Sequence, residues 1–275
     1  MNRGLVAQLV LLFLATQALG LFTADYLVRE GVRATLVTDN PEDVENSLGL
    51  FAYILGFTAV LLVLIKFLKD QWLYWVFKCL ETAAVFFASL LVFNAFTDSL
   101  LILLAAAALV VARLFFTANL WLRNLATVLS TAGAGALIGV SLGVWPVAVL
   151  LGLLCVYDYV AVFKTKHMVT LAKSVASKNL SFTYALPTKE HVFELGAGDM
   201  VMPLTFAASA LAAAKTAHAF PLYWVPSAAV LVASLAGLLA TLLYASKRAG
   251  KPLPALPLQG ALMLAAWGAT KLAGF

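Results

Sequence analysis

Nine stretches of roughly 20 mostly apolar residues follow one another along this 275-residue chain, with short polar connections between them. A stretch of that length matches the hydrocarbon thickness of a bilayer when it is helical. Inside lipid each backbone N–H and C=O must find its partner within the segment, so the helix is the form each stretch has to take. The spacing predicts spans at about 4–24, 47–68, 71–96, 98–116, 121–143, 145–163, 195–214, 222–244 and 253–272. The reading is therefore an all-α polytopic membrane protein with about nine transmembrane helices. One transmembrane domain covers residues 1–275: spans one to six at about 4–163, a connection at 164–194, and spans seven to nine at about 195–272. With 63% hydrophobic and 11% charged residues, the chain lies outside the range of soluble domains. The first run resembles a signal peptide, but it continues without a small-residue cleavage site and is expected to be a retained span.

Charge sets the expected orientation. Nine spans put the termini on opposite sides. The connections on the N-terminal side carry 13 cations, among them Lys66, Lys69, Arg113, Arg123, Lys164, Lys166, Lys173 and Lys178. The other side carries four: Arg29, Arg33, Lys215 and Lys271. The positive-inside rule then places the N-terminus in the cytoplasm and the C-terminus outside the cell membrane. The same rule accounts for the net charge of +5 without an anionic partner such as nucleic acid. The loop from Asp25 to Asn46 reads as an acidic, solvated external linker. The 164–194 connection opens with KTKHMVTLAKSVASK, whose helix-like apolar spacing and interleaved lysines suit a helix lying at the membrane interface. SFTYAL and HVFEL have strand character. Asn179-Leu180-Ser181 matches a glycosylation sequon that should be inert on the cytoplasmic side.

Cys79 and Cys155 fall within spans and read as small apolar side chains. His167, His191 and His218 are scattered over connections with no paired ligand spacing, which deprives a metalloprotease reading of its ligands. Gly135, Gly139 and Gly143 recur every four residues in the fifth span, as close helix packing requires. Lys78 and Glu81, three residues apart in the third span, read as a neutralised structural pair.

Two acids lack such an explanation. Asp158 lies in LLGLLCVYDYVAVF and Asp199 in LGAGDMVMPLTFAASALAAA, and a carboxylate at the bilayer centre costs about 3 kcal/mol on the mildest insertion scale. Asp158 is five residues, roughly 8 Å, from the cytoplasmic end of its span. The next span starts from that same side, which puts Asp199 at a similar depth. Two carboxyls that meet share a proton. One can then deprotonate water while the other protonates a carbonyl oxygen, which hydrolyses a peptide bond without a cofactor. Gly196 and Gly198 let backbone come close beside Asp199. Pro254 and Pro257 disturb the start of the ninth span at the same depth. Paired acids serve equally in a proton- or cation-coupled transporter or leak channel, and on the acids alone that reading stands slightly ahead.

The combination is more specific than its parts. Tyr157-Asp158, then Gly196-Ala197-Gly198-Asp199, then Pro254-Ala255-Leu256 opening the last span resemble the YD, GxGD and PAL motifs of presenilins and signal peptide peptidases. Their order and helix placement match over nearly the whole chain, which looks most like an archaeal presenilin homologue. The resemblance implies an intramembrane aspartic endopeptidase of the GxGD type, with Asp158 and Asp199 as its catalytic dyad. It also implies that Tyr157, Gly196, Ala197, Gly198, Pro254, Ala255 and Leu256 shape the site and hold an unwound transmembrane substrate. No metal or other cofactor is implied. The N-terminus-inside orientation matches the presenilin branch. The chain departs from that branch in having Ala197 where presenilins commonly have leucine, and in the short connection between its aspartates. Autoproteolytic maturation and presenilin's accessory subunits therefore do not carry over, and whether the chain forms a homo-oligomer stays open.

Overall fold

The computed structural model describes residues 3–97, 99–164, 180–188, 192–246 and 254–275. Within these lie nine α-helices: α1 (Arg3–Arg29), α2 (Val44–Phe67), α3 (Asp70–Asn94), α4 (Leu101–Phe115), α5 (Leu120–Ser141), α6 (Val144–Phe163), α7 (Gly198–Ala217), α8 (Val225–Ser246) and α9 (Leu256–Leu272). A hairpin of β1 (Thr183–Pro187) and β2 (Val192–Gly196) precedes α7, and a single 3-10 turn, Leu222–Trp224, precedes α8. Seven of the helices are long and apolar enough to cross a membrane. α4, with 15 residues, and α9, with 17, fall short of that length. The interfacial helix expected from 164–178, the sequon asparagine, His167 and His191 lie outside the described residues apart from Lys164.

The helix boundaries differ from expectation where side chains find partners. α1 runs on past Ala24 because Tyr26, Leu27 and Val28 continue its packed face. Asp25, expected in a solvated linker, is instead buried within α1. It binds Lys215 of α7 at 2.6 Å and Arg29 at 2.6 Å. The external loop is folded onto the bundle, since buried Asn46 accepts the N–H groups of Val37 and Thr38. The seventh helix begins at Gly198 rather than 195, because residues 192–196 are used in β2. The last begins at Leu256 rather than 253, leaving Pro254 and Ala255 as irregular backbone ahead of it.

α5 and α7 form the centre: in their apolar windows 72% and 67% of residues are buried, against 6% in lipid-facing α2. Small residues make this possible. A Cβ at Gly139 would stand 2.6 Å from both the Ala208 Cβ and the Thr205 carbonyl oxygen, so only glycine lets α5 lie this close to α7. Gly135 likewise receives the Leu204 side chain. Gly143 does not belong to this stripe. It caps α6 and lies against Glu42 of the external loop, which ends α5 at Ser141.

The hairpin hangs from α5. Its strands are antiparallel with Tyr184 opposite Leu195 and Leu186 opposite Phe193. The Asn124 side chain binds both the N–H and the C=O of Ala185 at 2.8 Å, occupying the outer edge of β1. Arg123, fully buried, grips Glu194 of β2 and Thr183 of β1. The Lys78–Glu81 pair is larger than expected. Glu81 accepts Lys78 Nζ at 2.7 Å, Arg113 Nη2 at 2.9 Å, and both the N–H (2.9 Å) and hydroxyl (2.6 Å) of Ser181. Arg113 and Arg123, counted with the charges of the cytoplasmic connections, are instead buried near the ends of α4 and α5 and hold the chain leading into β1. Without them the cation balance is still 11 to 4.

Candidate active site

Three chain segments converge at the end of the bundle where the hairpin sits. α6 carries Asp158 five residues before its end at Phe163, as the sequence indicates. α7 carries Asp199 as its second residue, one step after the glycine that opens the helix. Both aspartates are half-buried. A Cβ on Gly196 would stand 3.9 Å from Asp199 Oδ2, so this carboxyl lies over the end of β2.

The third segment is the start of α9. The first N–H groups of a helix have no partner within it. One of these, the Leu256 N–H, donates to Asp158 Oδ2 at 3.4 Å. The Leu256 carbonyl receives the Cys155 thiol at 3.4 Å, one turn earlier on α6. A Cβ on Gly260 would meet that sulfur at 2.6 Å, so glycine allows the two helices to touch here. Further along the same turn, the Gln259 amide donates to the Asp199 carbonyl oxygen at 3.1 Å. From the opposite side Gln17 of α1 donates to the Met200 carbonyl at 3.0 Å. Tyr157 points elsewhere: its hydroxyl bonds Thr58 and its ring stands edge-on to Phe51, joining α6 to α2.

The backbone beside the aspartates ends in an open strand edge. Ala185 turns its peptide groups to Asn124, so alternation gives the ladder bonds to Tyr184, Leu186 and their partners Leu195 and Phe193. The ladder continues as Ala197 N–H donates to the Phe182 carbonyl at 3.0 Å. The peptide groups of Val192, Glu194 and Gly196 then point outward from β2, where no third strand lies among the described residues. Next to this edge, an apolar cavity of about 340 Å³ between α3 and α5 is lined by Ala88, Thr131, Phe182, Ala197 and Val201.

Of the residues singled out from sequence, Leu256 contacts Asp158, Gly196 lies beside Asp199, and Ala197 and Ala255 pack on one apolar cluster; Gly198 and Pro254 adjoin them in the chain, and Tyr157 faces α2. Gln17, Gln259, Arg113, Arg123, Glu194 and Ser181 escape a motif-based reading. A signal for the two glutamines exists: an amide inside an otherwise apolar span needs a buried partner. Among the described residues no cluster of three histidine, cysteine or acidic side chains has the geometry to hold a metal.

Comparison with known proteins places this corner in context. A family profile described as signal-peptide peptidase, presenilin aspartyl protease matches residues 10–268. Two solved structures of a presenilin family intramembrane aspartate protease share the fold. The C222 crystal form has a TM-score of 0.71 at 24% identity and covers 98% of this chain and 99% of its own. The P2 form has a TM-score of 0.67 at 25% identity, with coverages of 99% and 98%. No curated protein matches the sequence. With matching helices, matching order and a profile spanning nearly its whole length, the chain belongs to the signal-peptide peptidase and presenilin family, and is an integral membrane aspartyl protease that acts on transmembrane substrates within the bilayer.

Proposed function

We propose that Asp158 and Asp199 are the catalytic dyad of a GxGD-type endopeptidase and that the whole chain, residues 1–275, is one protease domain. The observation that carries this reading is the Leu256 N–H on the Asp158 carboxylate, which ties the start of α9 to one acid while Asp199 opens the neighbouring helix. In the reaction one carboxylate takes a proton from water as the water attacks the scissile carbonyl carbon. The other, protonated, gives its proton to the carbonyl oxygen. Collapse of the tetrahedral intermediate breaks the C–N bond, and the amine leaves with a proton from the dyad. No cofactor or accessory subunit takes part.

A helical substrate shields its carbonyls, so it must unwind before attack. The outward peptide groups of Val192, Glu194 and Gly196 are suited to pair with the unwound segment as a third strand. Gly196, Ala197 and Gly198 keep this approach clear of side-chain bulk, while Pro254, Ala255 and Leu256 bound it from the other side and Tyr157 braces α6 behind it. With the N-terminus cytoplasmic and the C-terminus outside, substrates present their N-termini outside and are cut near the cytoplasmic face.

The test is cleavage of a transmembrane peptide by the purified chain in detergent, with Asp158→Asn and Asp199→Asn beside it. The wild type is expected to cut and both variants to be inactive while folded. Wild-type cleavage by either variant, or aspartate-dependent ion flux in vesicles with no cleavage, overturns the assignment.

A further inference from the structure

Pro203 lies inside α7, four residues after Asp199. In a helix the N–H of residue i+4 donates to the carbonyl of residue i, and proline has no N–H. The Asp199 carbonyl therefore loses its helical donor at the one residue of α7 that carries the acid. A carbonyl inside a helix bundle that is left without a donor is destabilising, and helix-breaking proline is tolerated in membrane helices where a neighbouring helix satisfies the freed group.

The missing donor comes from another helix. Gln259 of α9 is fully buried, and its amide nitrogen donates to the Asp199 carbonyl at 3.1 Å and to Ser234 Oγ of α8 at 2.8 Å. The two contacts use both of its N–H bonds. Turned over, the amide would put its oxygen against the Asp199 carbonyl oxygen, acceptor on acceptor, so its orientation is set. Its backbone is pinned as well: a Cβ on Gly237 would stand 2.8 Å from Gln259 Cα, so α8 closes directly on it. Three residues earlier, the same turn of α9 donates its Leu256 N–H to Asp158. One helical turn therefore holds both aspartate segments.

We propose that Gln259 is a positioning residue for Asp199: it supplies the hydrogen bond that Pro203 withholds, and so fixes the first turn of α7 at a set distance from the α9 turn that holds Asp158. Gln259 reaches the backbone of Asp199 rather than its carboxyl, so it acts on the alignment of the dyad and not on the proton transfers. The inference rests on the assignment of Asp199 as catalytic. Misplacing a reacting group by an ångström can cost about a hundredfold in rate, so the effect belongs in kcat more than in KM.

The experiment is a double-mutant cycle on the full chain in detergent, with a transmembrane peptide as substrate. Gln259→Leu is expected to lower kcat by about tenfold or more with KM within about twofold. Pro203→Ala restores an N–H to the Asp199 carbonyl from within α7. In the Pro203→Ala background, Gln259→Leu is therefore expected to leave kcat within about threefold of Pro203→Ala alone. A wild-type kcat for Gln259→Leu overturns the proposal, and so does a loss that Pro203→Ala fails to rescue. If Gln259→Leu alone does not fold, recovery of folding in the double variant supports the proposal and its absence overturns it. Asp199→Asn is run in parallel: wild-type cleavage by that variant defeats the catalytic assignment itself. Inactive Asp199→Asn beside fully active Gln259→Leu defeats only the role given to Gln259.

Discussion

Replacing Glu81 with glutamine preserves the side chain's shape and removes one charge from a buried cluster. Lys78 and Arg113 both bind the Glu81 carboxylate, at 2.7 and 2.9 Å, and the side chains of all three residues are 4% exposed or less. Removing one partner of a buried ion pair leaves the other without compensation, which costs about 3–5 kcal/mol. The damage also reaches the hairpin. Glu81 Oε1 accepts both the N–H and the hydroxyl of Ser181, and glutamine can offer only one acceptor oxygen to the four donors now present. The expected result of Glu81→Gln is a loss of about 3–5 kcal/mol in an SDS titration in mixed micelles followed by circular dichroism, with a parallel fall in peptide cleavage. Replacing Lys78, Glu81 and Arg113 together by methionine, leucine and methionine removes all three charges. That variant is expected to regain most of the stability, but not the cleavage, because nothing then holds Ser181. Stability of Glu81→Gln within about 0.5 kcal/mol of wild type would mean that the Glu81 charge does not hold this cluster together.

Three other expectations follow from single contacts. Gly139→Ala should destabilise by about 1–3 kcal/mol in the same titration, since its methyl group meets the Thr205 carbonyl and Ala208; Ala208→Gly in the same chain should recover part of the loss. Gly196→Pro removes an outward N–H from β2 without touching the buried face of the hairpin, and is expected to lower kcat/KM about tenfold with an unchanged unfolding midpoint. Burial pushes the Tyr184 phenol up to about 12, despite hydrogen bonds from Thr131 and Thr16 that pull the other way. In the unfolded chain it titrates near 10. Stability from this residue is therefore intact below pH 10 and declines as pH rises toward 12, by about 3 kcal/mol across the window. Tyr184→Phe should lack that alkaline slope in unfolding measured from pH 9 to 12.

The apolar runs made the helices legible because lipid permits little else, and the two aspartates were legible because burying them needs a reason. What the sequence hid was set by partners far along the chain. Asp25 read as a loop acid because its cation, Lys215, lies 190 residues away. Residues 195 and 196 read as the start of a helix because their apolar character suits either state; pairing with residues 183 and 184 decides for the strand. Gly143 fitted a packing stripe by spacing alone, yet the helix ends two residues before it. Arg113 and Arg123 followed the charge bias of cytoplasmic connections, and only the fold reveals that their charges turn inward to hold the hairpin. Gln259 carried no motif at all, and its use emerges only once the proline in α7 is seen beside it.

Water activation by the two aspartates is read from the masses of the products formed from one transmembrane peptide in water enriched in oxygen-18. The wild-type chain is expected to give a new C-terminal carboxylate carrying one heavy oxygen from the attacking water, and folded Asp158→Asn and Asp199→Asn to give no product. Labelled product formed at the wild-type rate by either variant would contradict that expectation.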